Sequence, residues 1–351
     1  MVWKMRLVIS SLQKRRVLNS AWECSGTFIE RNVVEYRRFG NTDLEVSEIC
    51  FGSMRFSTKA PSDDDVSRTG QRALQHAIDR GVNFIHSSNG YNTRWAMSRV
   101  LKDHPQRHDL HHIIKVPVPD FDDGGRFDAA KFRLRVEEAL EELHADRITV
   151  LQHLQRARPN DDDLRIRDIA TTHEAMMECF SQLRDEGKVG YLTTFPYTPG
   201  FGGEALKTGD FSGMVAYYNP IEMEMAEYFE QMEANGQGFF CIRPFMGGLL
   251  TDRRADRSQL PDDDRYQDAG WDDAYARRQM LQDRLGVDIA SWTEFAIKFG
   301  LCHPIVASLI VGLNSIEQVD GVLDAADGDY PDLGVFNRAL EVFRQEGLVE
   351  S

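Results

Sequence analysis

From Val34 onward, short apolar runs alternate with longer stretches whose apolar residues recur every three or four positions. The segment YRRFGNTDLEVSEICFGSMRF alternates apolar and polar residues around Gly40 and Asn41, which predicts a β-hairpin leading into a first core strand, EICFGSMRF. Further strands are expected at NFIHSS, HHIIKVP, ITVLQHL, VGYLTTF, GMVAYYNP, FFCIRPF and ASLIVGL. Helical periodicity fills the intervals. SRTGQRALQHAIDR repeats Leu74, Ala77 and Ile78 at helical spacing and stops at Gly81; AAKFRLRVEEALEELHA and HEAMMECFSQLRDEG follow, the latter ending at Gly187. Eight strand–helix repeats predict a (β/α)8 TIM barrel preceded by a short N-terminal β-hairpin, in one domain over residues 34–351. No GxGxxG follows a strand, which argues against a Rossmann domain. The segment from about 250 to 286 is too long for a simple connection and reads as an excursion over one mouth of the barrel.

Composition narrows the partners. A net charge of -15 disfavours nucleic acid, because phosphate binding requires concentrated Lys and Arg. Residues 1–33 stand apart, with six Lys or Arg against two Glu, and are expected to form a poorly ordered extension. Acidic triplets at Asp63–Asp65, Asp161–Asp163 and Asp262–Asp264 read as solvated loops, since none has a spacing that would wrap a metal ion. The five cysteines are odd in number, widely separated and free of metal-ligand spacing, which points to a reducing, cytoplasmic setting without metal. No apolar run reaches the roughly 18 residues that span a bilayer, so no membrane partner is expected. The sequence carries no signal for an oligomeric state.

Barrel chemistry is built at the C-terminal ends of strands. That rule places His86, Ser87, Ser88, Asn89 and Tyr91 at the active face, with Lys115 on the next strand and Gln152 to Gln155 on the one after. A lone lysine inside an apolar strand is costly unless its charge is used or paired. His111 and His112 begin a strand, at the end opposite the active face.

The opening hairpin, GVNFI before the active-site loop, RPFMGGLLTD after the seventh strand and IVGLNSIEQV after the eighth together resemble the aldo-keto reductase superfamily over about residues 34–325. The resemblance implies a metal-free barrel that binds NADP or NAD across its C-terminal face and reduces a small-molecule carbonyl substrate, using an Asp, Tyr, Lys and His tetrad. Its tyrosine falls on Tyr91 and its lysine on Lys115. A phenol of pKa about 10 can protonate the carbonyl oxygen if a nearby ammonium favours phenolate.

Two tetrad positions depart from that pattern. His86-Ser87-Ser88 replaces Asp-Thr-Ala, so His86 is expected to act as an orienting group or proton relay in place of the aspartate. The family histidine falls on Leu154, and strand alternation turns the neighbouring His153 toward the helices while Gln152 and Leu154 face the barrel. Among cofactor positions, the Ser-Asn pair that holds the nicotinamide carboxamide corresponds to Phe195-Pro196, or to Thr193-Thr194 if the loop is shortened. Gly312, Ser315 and Gln318 fit the family pattern, whereas Asn314 stands where a basic residue usually meets the 2′-phosphate. Gly52 and Met54 of the first strand, Tyr217, Arg243 as a pyrophosphate partner, and Gly247 complete the implied cofactor set. Two other readings stay open: a barrel that has lost redox chemistry and serves as a nicotinamide-binding or interaction protein, and a lyase or isomerase using His86 and Tyr91 as an acid/base pair.

Overall fold

A computed structural model describes residues 34–159, 161–254 and 256–349; the basic extension lies outside the described residues. The chain enters through an antiparallel hairpin, β1 (Tyr36–Arg38) and β2 (Glu45–Ser47). Eight parallel strands then close into a barrel: β3 (Ile49–Gly52), β4 (Phe84–Ser88), β5 (His111–Pro117), β6 (Ile148–Leu154), β7 (Val189–Thr194), β8 (Gly213–Tyr217), β9 (Gly238–Ile242) and β10 (Val306–Gly312), with β10 pairing both β9 and β3. Around them lie α1 (Asp65–Asp79), α2 (Arg94–Leu101), α3 (Ala129–Leu143), α4 (Asp162–Asp185), α5 (Pro199–Lys207), α6 (Phe229–Ala234), α7 (Asp272–Arg284), α8 (Trp292–Cys302), α9 (Ile316–Ala326) and α10 (Leu333–Gln345).

Alternation along the strands sorts the core into two layers. Cys50, Phe84, Ile113, Val150, Val215 and Phe240 fill the barrel interior, while Ile85, Ile114, Leu151, Leu192 and Met214 pack outward against the helices. The hairpin plugs the N-terminal end: Phe39 is fully buried and stacks on Phe240 with ring centroids 4.2 Å apart. That closure needs close backbone approach. Gly40 lies at φ +52, and a Cβ there would come within 2.5 Å of the Gly236 carbonyl oxygen. At Gly213 a Cβ would run into the Gly238 carbonyl oxygen and the Phe39 ring. Gly213→Ala is therefore expected to destabilise the fold by about 1–3 kcal/mol, read as a lower urea midpoint with an unchanged slope.

Two expectations need correction. The helix read from His173 begins at Asp162, and the acidic triplets are not simply solvated loops. Asp161 caps α4 by accepting from the backbone N–H of Asp163 at 2.8 Å, and Asp64 caps α1 by accepting from that of Ser67 at 2.8 Å. An aspartate suits a helix start because it satisfies orphan N–H groups and opposes the positive end of the helix dipole. The 250–286 segment carries single 3-10 turns and then α7. Its Tyr266 is fully buried and donates to the Met246 carbonyl at 2.9 Å, while Arg278 donates to the Leu249 carbonyl at 2.8 Å.

Candidate active site

Strand register assembles the site. Ser88 pairs with Lys115, Lys115 with Gln152, and Gln152 with Thr193, so four adjacent strands present polar residues at one level near the C-terminal mouth. The loop after β4 is pinned from the same level: Ser88 Oγ donates to the Lys115 carbonyl at 3.2 Å and accepts from the Gly90 N–H at 3.3 Å. This pinning brings Tyr91 back over the mouth, where Lys115 Nζ lies 3.3 Å from its hydroxyl. The ammonium also sits 4.6 Å from the centre of the Phe195 ring, whose negative face attracts it. His86 lies edge-on to Tyr91 and donates from Nε2 to Gln152 Oε1 at 3.0 Å.

Burial governs the charges here. Among the described residues no carboxylate lies within 4 Å of Lys115. Desolvation, assisted by the positive charge of Arg156, lowers the Lys115 pKa to about 8. Desolvation and then repulsion by Lys115 press His86 down to about 3, against the Gln152 hydrogen bond, which raises it. A group with that pKa stays uncharged near neutrality and keeps the single Nε2 proton that it donates to Gln152. Of the two expected roles, orienting group or proton relay, the neutral imidazole bonded to Gln152 fits the first. Tyr91 is pushed above the ordinary phenol value, chiefly by burial, so it remains protonated.

His153 occupies the outward face, where its Nε2 donates to the Val118 carbonyl at 2.8 Å and its ring meets Phe132 edge-on. The cofactor candidates fall into three groups. Thr193 faces the barrel with Oγ1 donating to the Leu151 carbonyl at 3.3 Å, but Thr194 turns outward among His153, Gln155, Thr172 and His173. The Thr193 and Thr194 side chains therefore lie on opposite sides of the barrel wall, as adjacent strand residues do. Phe195 instead faces the mouth and meets Tyr217 edge-on at 5.4 Å.

A second group surrounds Arg243. Its guanidinium lies 4.7 Å over the Tyr217 ring and 3.4 Å from Glu222, on a left-handed backbone (φ +65) whose carbonyl accepts from Asn219 Nδ2 at 3.1 Å. Nearby, Gly247 lies at φ +68, where a Cβ would meet Arg265 and Tyr266. The third group follows β10. Gly312 is exposed, and a Cβ there would meet nothing within 4 Å. Ser315 caps α9 by accepting from the Gln318 N–H at 3.3 Å, and Gln318 Oε1 accepts from the Asn314 N–H at 2.9 Å, a reciprocal arrangement of the capping-box kind. Gly52 is buried against β10, where a Cβ would lie 2.8 Å from the Val311 carbonyl oxygen, and Met54 is exposed.

Residues 48–332 match the Aldo/keto reductase family. The chain belongs to that family. This aldo/keto reductase is 24% identical over 299 residues to a Bacillus subtilis protein named uncharacterized oxidoreductase YqkF, covering 83% of this chain and 90% of the relative. It is 22% identical over 306 residues to the L-galactose dehydrogenase of Arabidopsis thaliana, covering 82% and 86%. Its fold is similar to that of the aldo-keto reductase AKR11C1 from Bacillus halodurans in its holo form, with a TM-score of 0.66 and 21% identity over 88% of this chain and 96% of that one. These similarities support an oxidoreductase. Within the family frame, two residues at this mouth escape motif reading: Arg156, whose Nη1 is 3.0 Å from Asp120 Oδ1, and Asp120, which is also 3.0 Å from Arg135. Both follow the C-terminal ends of barrel strands within three residues, and that position was the signal available for them.

Proposed function

We propose that this aldo/keto reductase reduces a carbonyl compound with NADPH or NADH, Tyr91 delivering the proton. The observation that carries the reading is the 3.3 Å approach of Lys115 Nζ to the Tyr91 hydroxyl at the barrel mouth. The nicotinamide cofactor would supply hydride to the carbonyl carbon. The alkoxide oxygen formed as hydride arrives takes the Tyr91 proton, and the Lys115 ammonium stabilises the resulting phenolate. Phe195 and Tyr217 wall the mouth.

The residues fit such a cofactor at both ends. Gln152 Nε2 is buried without a hydrogen-bond partner, although its amide is oriented by His86; a carboxamide carbonyl would satisfy it. Gly312 leaves open space beside the N-terminus of α9, where backbone N–H groups and the helix dipole favour phosphate. Arg243 is a third candidate contact, partly neutralised by Glu222. Burial raises Tyr91 and keeps it protonated, which favours reduction over alcohol oxidation, since oxidation requires the phenolate as base. The lyase or isomerase reading is left with a weak base, because His86 is engaged with Gln152 and its burial beside Lys115 disfavours the protonated form.

Titration of the full chain with NADPH and with NADH, followed by quenching of tryptophan fluorescence, tests this reading. Micromolar binding of at least one is expected. Asn314→Arg should strengthen NADPH binding by about tenfold, because a guanidinium at that position would pair the 2′-phosphate, and leave NADH unchanged. Absence of binding at millimolar concentration would move the barrel to a non-redox role.

A further inference from the structure

The charges around the mouth do not balance. Arg165 is paired with Asp162 at 2.6 Å and Arg243 with Glu222 at 3.4 Å. Arg156 and Arg135, however, share the single carboxylate of Asp120, and Lys115 has none within 4 Å among the described residues. Three cations thus face one anion, in a protein whose net charge is -15. The surplus sits beside the reacting group: the Arg156 charge is felt by both Tyr91 and Lys115, and a Cβ on Gly90, next to Tyr91, would lie 4.0 Å from Arg156 Nη2. Arg156 is also incompletely bonded. Its guanidinium rests 4.7 Å over the Phe121 ring, one terminal nitrogen meets Asp120, the Tyr197 hydroxyl is a second side-chain partner, and Nε alone is buried without one. A buried N–H left without an acceptor is costly, and a guanidinium presents its donors in a fork matched to a carboxylate.

We infer that the carbonyl substrate carries a carboxylate, which Arg156 binds while Tyr91 and Lys115 hold the carbonyl oxygen. The inference rests on the reductase reading and makes Arg156 the specificity-determining residue of that site. A local positive field in an acidic protein also concentrates anionic substrate at the mouth.

The test compares the full chain on pyruvate and levulinate, which place the carboxylate at two distances from the ketone, with their methyl esters. At least one acid should be reduced with kcat/KM ten or more times that of its ester. Arg156→Met should erase that preference, chiefly through KM for the acid, and Arg156→Lys should restore part of it. Reduction of the esters as efficiently as both acids, or equal loss on acid and ester in Arg156→Met, would overturn the inference while leaving the reductase reading intact. Calorimetric binding of the acids separates the opposite case: acid binding that depends on Arg156, without turnover of any carbonyl, would keep the anion site and reject the reductase. Weaker cofactor binding by Arg156→Met, with the acid-to-ester ratio unchanged, would assign Arg156 to cofactor phosphate and overturn the inference.

Discussion

Tyr91→Phe is expected to lower kcat for carbonyl reduction by about 10²–10⁴-fold, the usual contribution of a positioned general acid. The phenyl ring keeps the edge contact with His86 and the face near Lys115, so packing at the mouth survives. Only the hydroxyl 3.3 Å from Lys115 Nζ is lost. Cofactor affinity should therefore stay close to that of the parent. Turnover within a few-fold of the parent would show that another group, or water, protonates the oxygen.

Reduction should fall as pH rises through about 8, because Lys115 loses its charge there. The sign follows from the direction of the shift: the ammonium is fully present below that pKa, stabilises developing phenolate, and disappears above it. The groups around Lys115 that matter are the Tyr91 hydroxyl, the Phe195 ring, neutral His86 and the Arg156 guanidinium, and none is a carboxylate. His86→Asp would place one close by. It should move the alkaline limb of kcat/KM upward by about one pH unit, whereas His86→Asn should leave the limb in place. Equal shifts in both variants would mean that the limb belongs to a group other than Lys115.

Much of the scaffold was legible because β-strand and helix periods differ and the barrel strands are apolar. Each of the eight expected core strands overlaps an observed one, from β3 to β10. Alternation even turned His153 away from the mouth correctly. What failed to show in the sequence depended on burial and on neighbours brought from far along the chain. An Asp triplet reads as a loop until the helix it caps is seen, as at Asp161. His86 reads equally as an orienting group or a proton relay until its burial and its bond to Gln152, 66 residues away, favour the first. Arg156 lies in a polar stretch that marks a loop, and its relation to Tyr91 exists only once β4, β5 and β6 stand side by side. Thr193 and Thr194 looked like a pair because shortening the loop aligns them with the family Ser-Asn pair, and residue types alone do not show that the two side chains take opposite faces.

The central claim, nicotinamide-dependent carbonyl reduction at Tyr91, is tested most directly by single-turnover measurement. The full chain, loaded with reduced cofactor, is mixed with a panel of aldehydes and ketones spanning neutral and carboxylate-bearing compounds, and loss of reduced-nicotinamide absorbance is followed. One equivalent of cofactor oxidised with stoichiometric alcohol formed, and neither observed with Tyr91→Phe, is the result the account predicts. Cofactor that binds yet is never oxidised across the panel, or is oxidised equally by Tyr91→Phe, would contradict it.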